Sequence, residues 1–205
     1  MRKLLLTTAA VAAAIAGAVA GEPSFGTFTD TRDGQTYKTV AIGTHTWMAQ
    51  NLNYEPQSGK SWCYKNDTSY CNKYGRLYDW KTAKTVCPKG WKLPSREDWK
   101  RLVATAGRWE TAGKKLKSKS GWNDCDNESC GNGTDSFGFS ALPSGYRGSD
   151  GLFNGAGDYG RWWTATGNGD YYAYYRGMDY NYDYMYEDDI DKSNGPSVRC
   201  VADNP

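Results

Sequence analysis

The sequence predicts an α+β domain with its helices early, its strands late and disulfides holding the long loops between them. Three observations carry this. Apolar residues recur at helical spacing twice between Asp79 and Gly107. From Phe137 onward, short runs rich in Trp, Tyr and Val are separated by Gly, Asp and Asn, as strands are by turns. Six cysteines are spread through the chain, an even number of the kind exported proteins bridge.

The chain opens with Arg2 and Lys3, an apolar run from Leu4 to Val19 and the small-x-small site Ala18-Val19-Ala20. That order is a secretory signal peptide over 1–20. Residues 21–28 read as a short linker and 29–205 as one domain. The expected location is secreted or on the outer cell surface. No second apolar run follows, so no integral membrane segment is expected after cleavage. Twenty-five basic residues against twenty-three acidic ones leave a net charge of +2, which argues against nucleic acid as a partner. The balance hides an asymmetry: Lys81–Lys119 is basic and Asp158–Asp191 is acidic.

Between Thr31 and Leu52, Asp33-Gly34 marks a turn, Val40 and Ile42 share one side of a strand, and Gly43-Thr44 turns the chain back towards Trp47. Ser61–Tyr78 is polar and reads as a loop. Asp79 can cap a first helix with Trp80, Ala83 and Cys87 on one face, and Pro88 stops it. Ser95 with Asp98 forms a variant capping box for a second helix. Trp99, Leu102, Val103 and Ala106 are its apolar stripe, and Gly107 ends it. Turn-forming residues then dominate to about Thr134. Five short strands are expected after that, in "FGFSAL", "RWWTAT", "YYAYYRGM", "DYMYE" and "SVRCV". The expected core contains Trp80, Trp91, Leu93, Trp99, Leu102, Phe139, Leu142, Trp163 and Val198.

Cys63, Cys71, Cys87, Cys125, Cys130 and Cys200 imply three disulfides, and spacing alone leaves fifteen pairings open. Cys63–Cys71 and Cys125–Cys130 can close locally, which would leave Cys87 for Cys200.

The ordered segments "NLNY", "YGRLYDW", "CPKGWKLPSREDW", "GTDSFGFSALPSGYR", "RWWTAT" and "SVRCV" together resemble the Fibrobacter succinogenes major paralogous domain family, from about Thr29 to Val201. The resemblance implies a bacterial, exported or surface-associated domain without a general assigned activity. It also implies a distant relation to the C-type-lectin-like fold shared with sulfatase-modifying enzymes. In that fold a cysteine near the first helix bonds to one in the last strand, and Cys87 and Cys200 occupy those places. The insert "DCDNESC" looks like an addition to the family pattern.

No residue set reads as a catalytic centre. The only histidine, His45, sits in an expected turn with no recognisable partner motif. Cys125 and Cys130 precede "GFSALP", whereas the cysteine pair of sulfatase-modifying enzymes lies late in the fold, so a loop disulfide is expected. "WND" (Trp122–Asp124) stands in the wrong order for a lectin calcium signature. Calcium is a candidate ligand of two oxygen-rich clusters: Asp124, Asp126, Asn127, Glu128 and Asp135, and Glu187, Asp188, Asp189 and Asp191. Neither has an EF-hand spacing, and solvated loops are the simpler reading; no cofactor is expected.

Eight tyrosines fall within Tyr171–Tyr186, threaded with acids. A turn near Asp179–Asn181 would make a hairpin, with Tyr180, Tyr182, Tyr184 and Tyr186 on one side of the returning strand. One core cannot easily satisfy all eight hydroxyls, so some rings face water. Aromatic faces suit the C–H faces of sugars, and neighbouring acids suit the hydroxyl edges. The expected ligand site combines this hairpin with the Gly-rich loop before it: Tyr146, Arg147, Asp158, Tyr182, Tyr184 and Tyr186. The reading is a non-catalytic surface binding module whose partner is a glycan. A protein-docking or structural surface domain is the alternative, and a sulfatase-modifying-like or glycosidase-like enzyme stands third.

Overall fold

The computed structural model describes residues 23–124 and 131–203. The signal-peptide reading of 1–20 and the Cys125–Cys130 pairing lie outside the described residues.

Thr36–Ile42 (β2) buries Tyr37 and Thr39 on one face and Val40 and Ile42 on the other, so the strand feeds both halves of the core. It pairs antiparallel with Ser24–Thr29 (β1), which lies largely inside the stretch read as a linker. On its other side lies His45–Met48 (β3), reached through the expected turn at Gly43, whose φ is +61°. Ser61–Trp62 (β4) and Leu77–Tyr78 (β5) form a two-stranded ribbon. Between them, in the stretch expected to be a loop, lies the helix Thr68–Tyr74 (α1). It is too short to show a period, but Asp67 caps it by accepting from Ser69 N at 2.8 Å. The Cys63–Cys71 disulfide pins it.

Both expected helices are present. Trp80–Val86 (α2) is capped by Asp79, which accepts from Thr82 N at 2.9 Å, and Trp91–Lys92 (β6) follows it. Arg96–Ala106 (α3) starts with the full capping box of Ser95 and Asp98. A fourth helix, Trp109–Leu116 (α4), occupies sequence read as turn-forming; its Gly113 concealed it. The later strands are Ser144–Arg147 (β7), Phe153–Ala156 (β8), Tyr159–Asn168 (β9), Tyr172–Asp179 (β10), Tyr186–Asp191 (β11) and Val201–Ala202 (β12).

The strands make one five-stranded sheet in the order β1-β2-β3-β12-β6 and another in the order β11-β10-β9-β7-β8. The late strands are not all short or all antiparallel, since β9 has ten residues and β7 runs parallel to it. The chain end returns to sit between β3 and β6, and the Cys87–Cys200 disulfide ties α2's end to that return across 113 residues. On one face of the second sheet Trp162 meets Trp99 of α3, with Trp47 and Phe139 around it. On the other, Trp163 and Tyr175 pack with Tyr37, Tyr78 and Val86. Of the expected core, Leu93, Trp99, Leu102, Phe139, Trp163 and Val198 are buried, whereas Trp80, Trp91 and Leu142 are half-buried.

Three expected strands are corrected. "FGFSAL" is a loop with only a bridge at Ala141. Asp135 accepts from Ser140 N and Oγ, at 2.7 and 2.6 Å, and bends it. "DYMYE" enters a strand only at Tyr186, and the connection Tyr180–Met185 replaces the tight turn. In "SVRCV" only Val201 lies in a strand; the carbonyls of Ser197, Val198 and Cys200 accept instead from Trp163, Leu52 and Met48.

Candidate functional site

Helix α4 places three residues on one side, at i, i+4 and i+8: Trp109, Gly113 and, just past its end, Lys117. All three engage the Tyr180–Met185 connection. A Cβ on Gly113 would stand 2.5 Å from Tyr184 O and 2.6 Å from Asp183 O, so only glycine admits the loop at this distance. Lys114 N donates to Asp183 O at 3.0 Å, and Met185 N donates to Trp109 O at 3.1 Å. The Lys117 amine donates to Asp179 O at 2.5 Å and Tyr182 O at 2.7 Å. Lys117 is fully buried, and burial pulls its pKa down to about 8 although Asp183 and Asp179 lie near.

The clamped loop presents a row of rings. Tyr182 and Tyr184 stack at 4.7 Å with 22° between planes, and Trp109 meets Tyr184 edge-on at 5.9 Å. Trp109 is 57% exposed and Tyr182 43%. A groove of about 500 Å³ runs beside Trp109, lined also by Val103, Glu110, Arg176 and Glu187. Glu187 is held from both sides: Arg96 Nε donates to Oε1 at 3.0 Å, and Arg176 Nη2 is 2.7 Å from Oε2. Burial alone would raise the Glu187 pKa, but the bond from Arg96 and the charges of Arg176 and Arg96 hold it low. The groove therefore has an apolar wall, a fixed carboxylate and a fixed guanidinium.

Among the described residues, no group of three or more His, Cys, Asp or Glu is placed to hold a metal ion. The second acidic cluster is dispersed: Glu187 binds arginines, Asp189 accepts from Asn168, and Asp191 accepts from Ser193. His45, expected to stand alone, has a partner: its Nε2 is 3.1 Å from Asp98 Oδ1. Ser95 donates to the same carboxylate, at Oδ2. A nucleophile relay needs the imidazole between hydroxyl and carboxylate. Here the carboxylate lies between, so the trio caps a helix.

A family model described as the Fibrobacter succinogenes major domain matches residues 40–202. The chain belongs to that family. No curated protein and no solved structure matches it. In this Fibrobacter major domain four of the six expected ligand residues, Tyr182, Tyr184, Tyr186 and Tyr146, lie along one connected run of rings joined through Tyr175 and Arg161, and Arg147 lies apart from it. Tyr182 and Tyr184 are in the ring row. Tyr186 lies behind them, its hydroxyl donating to Asp179 at 2.9 Å, with burial pushing its pKa up. The Tyr146 ring lies 3.9 Å from the Arg161 guanidinium carbon, beside Tyr159 and Tyr175, and Tyr175 meets Tyr186 edge-on at 6.1 Å. Asp158 accepts from Asn123 Nδ2 at 2.9 Å. Arg147 lies over Trp62 in another pocket, at 4.3 Å. The reading by strand alternation failed for Tyr180–Met185 because those residues are not a strand. It missed Trp109, Gly113 and Lys117, whose W-x3-G-x3-K spacing was the available signal.

Proposed function

We propose that this domain is an exported, non-catalytic binding module of C-type-lectin-like architecture that holds carbohydrate on the Trp109–Tyr184–Tyr182 row. The carrying observation is that exposed ring row, fixed by backbone bonds to α4 and set beside a groove with Glu187 and Arg176. Rigid rings offer contact area at little cost in conformational entropy. Sugar C–H faces lie on such rings while hydroxyls reach the groove's charged edge. Two disulfides support the exported reading. The described residues contain no helix long and apolar enough to cross a membrane. The helix-to-chain-end bond Cys87–Cys200 supports the lectin-like reading, since the family resemblance implies that arrangement.

A protein-docking surface is the second reading, favoured by Tyr171 and Tyr172, exposed together at the β9–β10 turn. A glycan and cell-wall polysaccharide array probed with oxidised protein separates the two. Glycan binding that is clearly weakened in Trp109→Ala and in Tyr184→Ala is the expected result. An array without signal, binding indifferent to both changes, or turnover of a bound glycan overturns the proposal.

A further inference from the structure

A second pocket, of about 480 Å³, lies apart from the ring row and is lined by Lys60, Ser61, Trp62, Arg147, Ser149 and Ser193. Its frame is anchored. Lys60 N donates to Thr82 Oγ1 at 2.8 Å, and Asp79 N donates to Lys60 O at 3.2 Å, fixing that wall to the start of α2. Arg147 exchanges backbone bonds with Gly195, at 3.1 and 2.8 Å, and Ser149 N donates to Asn194 Oδ1 at 3.1 Å. Gly59, with φ +100°, permits the approach, since a Cβ there would stand within 2.4 Å of Thr82 Oγ1.

The cations in this frame have no acid. Arg147 pairs with no carboxylate among the described residues; its guanidinium lies over Trp62 and makes one long bond, 3.4 Å, to Gly148 O. Lys60 likewise makes no ion pair there. Two acids close to the pocket in sequence are engaged: Asp191 accepts from Ser193 N and Oγ, and Asp150 accepts from Leu152 N. Most other arginines of the domain have found carboxylates or carbonyls, as Arg32, Arg96, Arg176 and Arg199 have. A guanidinium placed over an indole, with most of its five donors unspent, is set for a planar oxyanion. A second cation and the serine hydroxyls around it suit a ligand that carries hydroxyls with its charge. The volume is of single-saccharide scale.

We propose that the Trp62–Arg147–Lys60 pocket binds the carboxylate of a uronic acid unit. The carboxylate takes the Arg147 fork and the Lys60 charge, and the ring hydroxyls meet Ser61 and Ser149. This site stands whether or not the ring row binds neutral sugar.

The test is calorimetric titration of the full oxidised domain with D-galacturonate, D-galactose, sodium acetate and sodium sulfate. Galacturonate is expected to bind at least about tenfold tighter than the other three, and more weakly as salt screens the pocket. Arg147→Gln and Lys60→Gln should each weaken it severalfold or more with unchanged melting midpoints. Trp109→Ala should leave it unchanged. Equal binding of acetate or sulfate reduces the site to a simple anion contact and overturns the sugar assignment. Equal binding of galactose, no binding of galacturonate, or indifference to both charge changes overturns the proposal. Loss in Trp109→Ala assigns the ligand to the ring row and overturns it as well. Should Arg147→Gln fail to fold, Lys60→Gln on the pocket's other wall decides.

Discussion

Arg199 is wholly buried, and its Nε and Nη2 both donate to one oxygen, Asn51 Oδ1, at 3.0 and 2.8 Å. The same oxygen takes the Trp162 indole N–H at 2.8 Å. Among the described residues no carboxylate pairs with this guanidinium; the carbonyls of Phe139 and Met48 accept from Nη1. Burial pulls the Arg199 pKa down to about 9, which leaves it charged at neutral pH. The residue joins the chain end, the Phe139 loop and the second sheet. Asn51→Ala should therefore cost about 3–5 kcal/mol, because it strands a buried charge and an indole N–H. The double change Asn51→Leu with Arg199→Met should cost clearly less than the sum of the single changes in urea unfolding. Strict additivity would show that the two are not coupled.

Trp99 sits among Trp47, Phe139 and Trp162, with ring centroids 4.9 to 6.3 Å away. Trp99→Ala should cost roughly 3–5 kcal/mol, enough to threaten a marginal domain. A loss of only a few tenths in urea unfolding would contradict this packing.

The tyrosines divide by role. Tyr182→Ala, Tyr184→Ala and Trp109→Ala should hardly move the unfolding midpoint but weaken glycan binding by about 1–3 kcal/mol each, if sugar–ring stacking resembles base–ring stacking. Tyr175→Ala and Tyr186→Ala should lower the midpoint, since Tyr175 is 4% exposed and Tyr186 bonds Asp179. Gly113→Ala should abolish glycan binding through the backbone clash with the loop. Unchanged affinity in Gly113→Ala would remove the clamp from the account.

Lys117 binds its proton less tightly folded, at about 8, than the ordinary 10.5 of an unfolded lysine. Between those values the unfolded chain holds more protons, so this residue's contribution to stability rises with pH. Below the folded value its buried charge lowers stability by a constant amount. Wild-type stability relative to Lys117→Met should rise between about pH 8 and pH 10 and be flat from about pH 6 to 7.5. Chemical unfolding across that range measures it. A difference flat throughout would mean the amine is solvated.

Cys87–Cys200 closes 113 residues. In the chain-entropy model opening it costs about 4–5 kcal/mol, strain aside. Cys87→Ala with Cys200→Ala should therefore melt far below wild type. Removing Cys63–Cys71, which closes a separation of 8, should cost less. The reverse order in thermal melts would contradict the staple.

By itself the sequence determined what depends on neighbours along the chain. The caps at Asp79 and Ser95, the apolar stripe of α3 and the turn at Gly43 each arise within a few residues, and each is where local chemistry puts it. Burial of Trp99, Phe139 and Trp163 followed from the same patterns, and the ordered motifs carried the family. Tertiary structure decided the rest. "FGFSAL" has strand composition, yet Arg199, sixty residues on, takes its carbonyls and leaves no ladder to form. The Tyr180–Met185 loop alternates like a strand, yet α4 takes its backbone bonds through Gly113, Lys114 and Lys117. Which tyrosines face water was therefore not a matter of period. It depended on which distant donor holds each carbonyl, and a polar backbone group taken by a side chain or a helix is not free to pair in a sheet.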